Sequence, residues 1–157
     1  MDSTADQQGS RPRAIAYSEW YGHRLTLHRV TSYTMLPLFA GEYWLGNKLM
    51  NDLEIASWVR PAHGTVASAL GVLFTVNTAT GLWNLWDARH DPSDRTRRTI
   101  HAVAMLAADA GMVWTASLAG DNEGGSVQVD ARPHRNAALA SIGVGTLGTV
   151  MMWVWKK

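Results

Sequence analysis

Cysteine is absent from the 157 residues. Its absence removes disulfides, thiolate metal sites, iron–sulfur clusters and covalently attached c-type haem, whose attachment needs a C-x-x-C-H. Charge is also scarce, with 17% of residues charged and a formal net charge of +1. The charges gather in a few short stretches separated by long, nearly uncharged ones. A soluble helical bundle would repeat charged residues every turn along its wet face, and that pattern is missing. No Glu-x-x-His occurs, so the di-iron carboxylate bundle is set aside as well. The first 27 residues, MDSTADQQGSRPRAIAYSEWYGHRLTL, contain no apolar run of the signal-peptide kind. They read as a polar cytoplasmic tail, with residues 14–27 lying at a membrane interface.

Four segments of low charge remain, each near the ~20 residues that cross ~30 Å of hydrocarbon. They are residues 30–50 (VTSYTMLPLFAGEYWLGNKLM), 62–86 (AHGTVASALGVLFTVNTATGLWNLW), 100–118 (IHAVAMLAADAGMVWTASL) and 136–155 (NAALASIGVGTLGTVMMWVW). The fold class expected is all-α, an integral membrane four-helix up-down bundle occupying residues 28–157. Pro61 and Pro133 stand at helix starts, where proline is tolerated. Pro37 falls inside the first span and predicts a kink, which membrane helices accommodate. The spans are weakly apolar and the mean hydropathy of the chain is slightly negative, as expected if the bundle encloses something polar.

Lysine and arginine set the orientation. With a cytoplasmic N-terminus, that side holds Arg11, Arg13, Arg24, Arg29, Arg89, Arg95, Arg97, Arg98, Lys156 and Lys157, and the other holds only Lys48, Arg60, Arg132 and Arg135. This bias obeys the positive-inside rule with both termini cytoplasmic and implies a multi-pass protein of the cell inner membrane. Trp83, Trp86, Trp153 and Trp155 at the inner ends, with Trp44 and Trp58 at the outer end, form an aromatic belt. The arginines of the middle loop alternate with Asp91 and Asp94, which argues for lipid contact and against nucleic acid.

The six histidines are unevenly informative. His23 and His90 lie in the tail and the middle loop. His28, His63, His101 and His134 each open one helix. Because successive helices reverse direction, His28 and His101 share one membrane level, and His63 and His134 share the other. In an up-down bundle, helices 1 and 3 are diagonal, as are 2 and 4. Two diagonal imidazoles at one depth can hold the two faces of a haem iron, so the pattern predicts two haems b, with His28, His101, His63 and His134 as metal ligands. Arg29, Arg98 and Arg135 are placed to neutralise propionates. Below the histidines run stripes of small residues: Ala138, Ser141, Gly145 and Gly148 after His134; Ala104, Ala108, Gly111 and Thr115 after His101; Gly64, Ala67, Ser68 and Gly71 beside His63. Such stripes admit a flat macrocycle, and they are equally the means by which membrane helices pack on one another. Zinc, which wants three or four convergent ligands, suits two histidines per level less well.

With its helix-opening histidines in RTIHAVAML (His101) and PHRNAALAS (His134), together with His28 and His63, the chain resembles the small bacterial four-helix cytochromes b and the cytochrome b561-like membrane subunits. The resemblance spans residues 23–155 in topology. It implies haem ligation at those four positions and electron exchange with quinone or a redox protein. The larger b561 proteins have six helices, so their helix order does not transfer. A cofactor-free subunit of a larger membrane complex, or a homo-oligomeric scaffold, is the alternative. Glu42 and Asp109 fall inside spans, each ~12 Å from a membrane face at 1.5 Å per residue. A carboxylate there costs ~2.5–3.5 kcal/mol or more unless paired or protonated. The two acids are therefore candidates for a proton or quinone site, or for structural hydrogen bonds.

Overall fold

The computed structural model describes residues 15–120 and 130–155. Arg11, Arg13, Lys156 and Lys157, which contribute to the charge asymmetry, lie outside the described residues. Four helices account for nearly all of the rest: α1 (Tyr21–Asn51), α2 (Val59–Asp87), α3 (Arg95–Gly120) and α4 (Arg132–Val154), with a short 3₁₀ turn at Ala88–His90. No strand is present among the described residues. Three helices are long and apolar enough to cross a membrane: Val59–His90, Arg95–Ala119 and Arg132–Val154. α1, with 31 residues, is about as long as the longest of these but more polar, because Thr31, Ser32, Thr34, Glu42, Asn47 and Lys48 interrupt its apolar residues.

The helices begin earlier than the hydrophobic pattern indicates. α1 starts at Tyr21, inside the stretch expected to be tail, and α2 starts at Val59. Pro61 and Pro133 are thus within first turns, where a missing N–H leaves no intrahelical bond unmade. α1 continues through Pro37.

The polarity of the molecule is inverted relative to a soluble bundle. Val72, Val113 and Leu147 are 65%, 72% and 71% exposed, while Asn77, Asn84, Thr115, Ser141 and Thr149 are buried. All eight tryptophans are exposed. In water this would forfeit burial of roughly 25 cal/mol for each Å² of apolar surface; in lipid it costs nothing, and the buried polar groups find partners inside. Several tryptophans are covered by cations at helix ends. Arg24 lies 4.6 Å from the ring centre of Trp83, Arg89 4.6 Å from Trp86, and Lys48 5.5 Å from Trp44. Such pairs suit an interfacial level, where an aromatic body meets a charged head.

Packing divides the molecule into two hairpins. α1 lies along α2 and α3 along α4, with much thinner contact between α2 and α3 and between α1 and α4. Within each hairpin, contacts join opposite ends. His28 near the start of α1 meets Asn77 and Thr80 late in α2, and Glu42 late in α1 meets His63 at the start of α2. His101 likewise meets Gly148, and His134 meets Thr115. Between these levels Met35, Phe39, Leu70, Phe74 and Ala108 form the apolar core. Large residues of the first hairpin face small ones of the second: a Cβ on Gly145 would stand 3.7 Å from the Phe39 ring and 3.6 Å from Ala108.

A platform closes one end. Tyr17 donates to Asp91 at 2.5 Å and Ser18 to Asp87 at 2.5 Å, while Arg24 pairs with Asp87. Arg98 joins the platform from α3 by donating to Asp91 O at 2.6 Å and Ala88 O at 3.2 Å. The segment before α1 is thereby docked on the α2–α3 connection.

Candidate cofactor site: two diagonal histidine pairs

The four helix-opening histidines meet in two pairs. The rings of His28 and His101 have centroids 6.0 Å apart and planes at 88°. Those of His63 and His134 are 6.2 Å apart, with planes at 68°. Both pairs join helices from different hairpins across a diagonal of the four-helix array. A metal gripped between two imidazole nitrogens needs centroids about 6.3 Å apart, from metal–nitrogen bonds of ~2.0–2.1 Å and ~1.1 Å from nitrogen to ring centre. Both observed separations lie within a few tenths of an ångström of that value.

Three of the four rings are held by their other nitrogen. His28 Nδ1 is 3.1 Å from the Asn77 carbonyl and 3.2 Å from Thr80 Oγ1. His101 Nδ1 is 3.0 Å from the Gly148 carbonyl, and His134 Nδ1 is 2.9 Å from the Thr115 carbonyl. A carbonyl oxygen only accepts, so these three rings carry their proton on Nδ1 and present Nε2 with its lone pair free. His63 Nδ1 is 3.0 Å from Glu42 Oε1, in ion-pair range but not aligned as a hydrogen bond. No Nε2 of the four makes a hydrogen bond to the protein among the described residues. Fixing one imidazole nitrogen by a carbonyl or carboxylate orients the other as a metal ligand.

One spacing generates all four contacts. Each histidine meets the residue fourteen positions beyond the histidine of its hairpin partner: Asn77 follows His63, Glu42 follows His28, Gly148 follows His134 and Thr115 follows His101 by that interval. Fourteen residues are two heptads, which return a helix to the same face in a left-handed supercoil, and they advance it ~21 Å. The two histidine levels are therefore separated by about that distance. Seven residues beyond each histidine stand Met35, Leu70, Ala108 and Ser141, all buried, which fill the space between levels. The two hairpins repeat one plan.

A cavity of about 450 Å³ surrounds the His28–His101 pair and is lined by residues of all four helices. Arg29, Arg97 and Arg98 border it, as does Asp109. Arg29 is exposed at the rim. Arg98 is engaged with the platform, and Arg97 donates to Asp94 at 2.8 Å and to the Trp155 carbonyl at 2.5 Å. Arg135 is exposed beside His134. Asp109 accepts from Thr78 across the α2–α3 seam, leaving Oδ1 buried and unpartnered; Glu42 Oε2 is likewise buried without a partner.

The small-residue stripes act differently from one another. Those of α3 and α4 pack helix on helix: a Cβ on Gly111 would lie 2.1 Å from Ser141 Oγ, and one on Gly148 3.2 Å from Met105 Sδ. On α2, Gly64, Ala67, Ser68 and Gly71 are exposed, so they do not clear space around His63. Two other glycines do that work. A Cβ on Gly81 would stand 3.0 Å from His28 Cε1, and one on Gly46 3.7 Å from His63 Cε1. Sequence reasoning missed both, although each lies eighteen residues beyond the histidine of its own helix. Among the described residues no three His, Cys, Asp or Glu side chains converge as a metal cluster. Comparison with family models, curated proteins and solved structures gave no match.

Proposed function

We propose that this chain is a di-haem b-type cytochrome that relays electrons across a membrane, ligating one iron through His28 and His101 and a second through His63 and His134. The observation that carries the proposal is the spacing of the two diagonal pairs, 6.0 and 6.2 Å between ring centres, against the ~6.3 Å that a bis-imidazole metal requires. In this reading all four helices cross the bilayer as an up-down bundle, α1 included, because Thr31 and Ser32 turn toward Asn77 and Glu42 toward His63. Both termini lie in the cytoplasm of a cell whose inner membrane holds the protein. The resemblance to four-helix cytochromes b and b561-like subunits leads to the same reading.

When bound, haem supplies one-electron exchange between ferric and ferrous iron. The residues of this chain supply the rest. The carbonyls of Asn77, Gly148 and Thr115 fix three of the rings so that ligation does not first require them to be ordered, and the Glu42 carboxylate stands beside the fourth. The Met35, Phe39, Leu70 and Phe74 layer keeps water out of the gap between levels. Arg29 at one end and Arg135 at the other balance propionate charge; Arg98, expected from the sequence to do the same, is instead paired with Asp91. With two histidines of this chain on each iron, no position would be left for substrate, so in this reading the protein is a carrier or redox-complex subunit, exchanging electrons with quinone or a protein partner.

A visible spectrum of the purified protein with a pyridine haemochrome assay tests the proposal. The expected result is two haems b per chain and a Soret band that sharpens on dithionite reduction; a folded, colourless protein overturns it. The Gly111–Ser141 and Gly145–Ala108 packing favours a second reading, a cofactor-free membrane subunit or scaffold, alone or as a homo-oligomer. The scaffold reading predicts that His63→Ala and His134→Ala leave folding and assembly intact, whereas under the haem reading each loses one haem.

A further inference from the structure

Asp109 stands eight residues beyond His101, ~12 Å deeper along α3, and borders the same cavity as His28 and His101. Its Oδ2 is held by the Thr78 hydroxyl, and its Oδ1 is buried with no partner. The charged and titratable groups on the cavity wall are His28, Arg29, Tyr21 and Tyr33 from α1, and Arg97, Arg98 and His101 from α3; α2 and α4 contribute none. No basic side chain forms an ion pair with Asp109 among the described residues, and Arg97 and Arg98 are already committed to Asp94 and Asp91. A mid-membrane carboxylate with one neutral donor is costly as an anion, and its cost rises when negative charge enters the cavity beside it.

We infer that Asp109 is the redox-linked proton acceptor of the His28–His101 site, taking up one proton from water at the cavity mouth when that site receives one electron. The inference rests on the di-haem reading. The electron comes from a one-electron donor, here the ferrous iron of the other site, and reduces ferric to ferrous iron. The proton comes from a hydronium ion, one of whose O–H bonds breaks to leave water as the Asp109 O–H forms, so net charge in the cavity is unchanged. Coupling is reciprocal: whatever reduction does to the proton affinity of Asp109, protonation does to the potential of the site.

The experiment is a potentiometric titration of the haem-loaded protein over a range of pH, with haem content measured on the same samples. One of the two midpoint potentials is expected to fall as pH rises, by at most ~59 mV per pH unit, the value for a tenfold change in a one-electron equilibrium. Asp109→Asn removes that slope and leaves the other potential unmoved, while Asp109→Glu retains it. Infrared reduced-minus-oxidised spectra should contain a protonated-carboxyl band that Asp109→Asn eliminates. If Asp109→Asn does not accumulate, Thr78→Val, which removes the donor to the anion, is expected to move the sloping region to higher pH. Absence of haem defeats the di-haem reading itself. Two haems with the same slope and carboxyl band in the wild type and Asp109→Asn, or an unmoved slope in Thr78→Val, overturn the proton assignment alone.

Discussion

Gly81 and Gly46 occupy equivalent places in α2 and α1, and alanine should affect them differently. Neither has a positive φ, so the backbone accepts a Cβ at both. A Cβ at Gly46 would lie 3.7 Å from His63 Cε1, ordinary contact. At Gly81 it would stand 3.0 Å from His28 Cε1 and 3.4 Å from Nδ1. Carbon–carbon contact is optimal at ~3.5–4.0 Å, so the His28 ring must retreat about 0.5 Å. Retreat from α2 lengthens its bonds to the Asn77 carbonyl and Thr80 Oγ1, now 3.1 and 3.2 Å, to a range where they no longer count as hydrogen bonds. Loss of such an orienting contact costs about 10–100-fold in affinity at metal sites, or ~1.4–2.8 kcal/mol. Alanine for glycine in a helix interior should by itself stabilise α2 by up to ~1 kcal/mol, so a loss of haem could not be blamed on the helix. Haem per chain, measured during competition with a haem-scavenging protein, should fall from two toward one in Gly81→Ala and stay at two in Gly46→Ala. Equal retention or equal loss in the two variants would refute the reasoning.

Three further outcomes follow from other contacts. Glu42 is the one carboxylate beside an Nδ1, 3.0 Å from that of His63, and its negative charge would favour ferric over ferrous iron; Glu42→Gln should raise one midpoint potential in a redox titration without changing haem content. At Gly111 a larger side chain collides with Ser141 Oγ at 2.1 Å and Cβ at 3.2 Å, so Gly111→Leu should cost about 1–3 kcal/mol by overpacking, read as a lower midpoint in thermal circular dichroism in detergent. Gly111→Ala meets the same Ser141 side chain, and adding Ser141→Gly to it should recover most of the stability that Gly111→Ala loses. Hydrogen bonds from Ser93, then from Tyr17, hold the Asp91 carboxyl well below the usual carboxylate range. A group depressed on folding stabilises above its unfolded pKa, and that stabilisation is lost as pH falls below it. The exchange protection factors of the Tyr21 and Arg24 amides, which bond back to Ser18 O and Trp20 O, should therefore fall in acid, and in Asp91→Asn they should be lower than in the wild type at neutral pH with little further acid effect.

The helical class, the number of helices and the pairing of histidines by diagonal were legible because they depend on side-chain type and spacing alone. Imidazoles are conspicuous, and one at the head of each low-charge segment fixes which can meet. Helix starts were less legible. The turns from Tyr21 to Leu27 are polar, and hydropathy does not see a helix that continues beyond the apolar region. The stripes illustrate a different limit. Small residues at helical spacing mark a face where something comes close, but not what: Gly111 and Gly148 face their partner helix in the second hairpin, while Gly64 and Gly71 face outward.

What holds the rings was the least legible of all, for a physical reason. Three of the four Nδ1 acceptors, at Asn77, Gly148 and Thr115, are backbone carbonyls, and every residue type offers one. Their positions follow only from the two-heptad offset, which needs an antiparallel partner and a fixed register before it can be applied. Thr80 and Glu42 reach their histidines through side chains, but a threonine is inconspicuous, and Glu42 stands out in the sequence as a charge in the membrane rather than as a neighbour of His63. If the offset is what positions the rings, register matters more than identity at these places. Substituting Asn77 by a residue that keeps the α1–α2 register should then leave the His28 contact in place, whereas a one-residue deletion between His63 and Asn77 should turn the Asn77 carbonyl ~100° around α2 and release His28. The first variant keeping both haems and the second losing one would establish the offset as the organising rule, and the reverse result would make Asn77 itself the determinant.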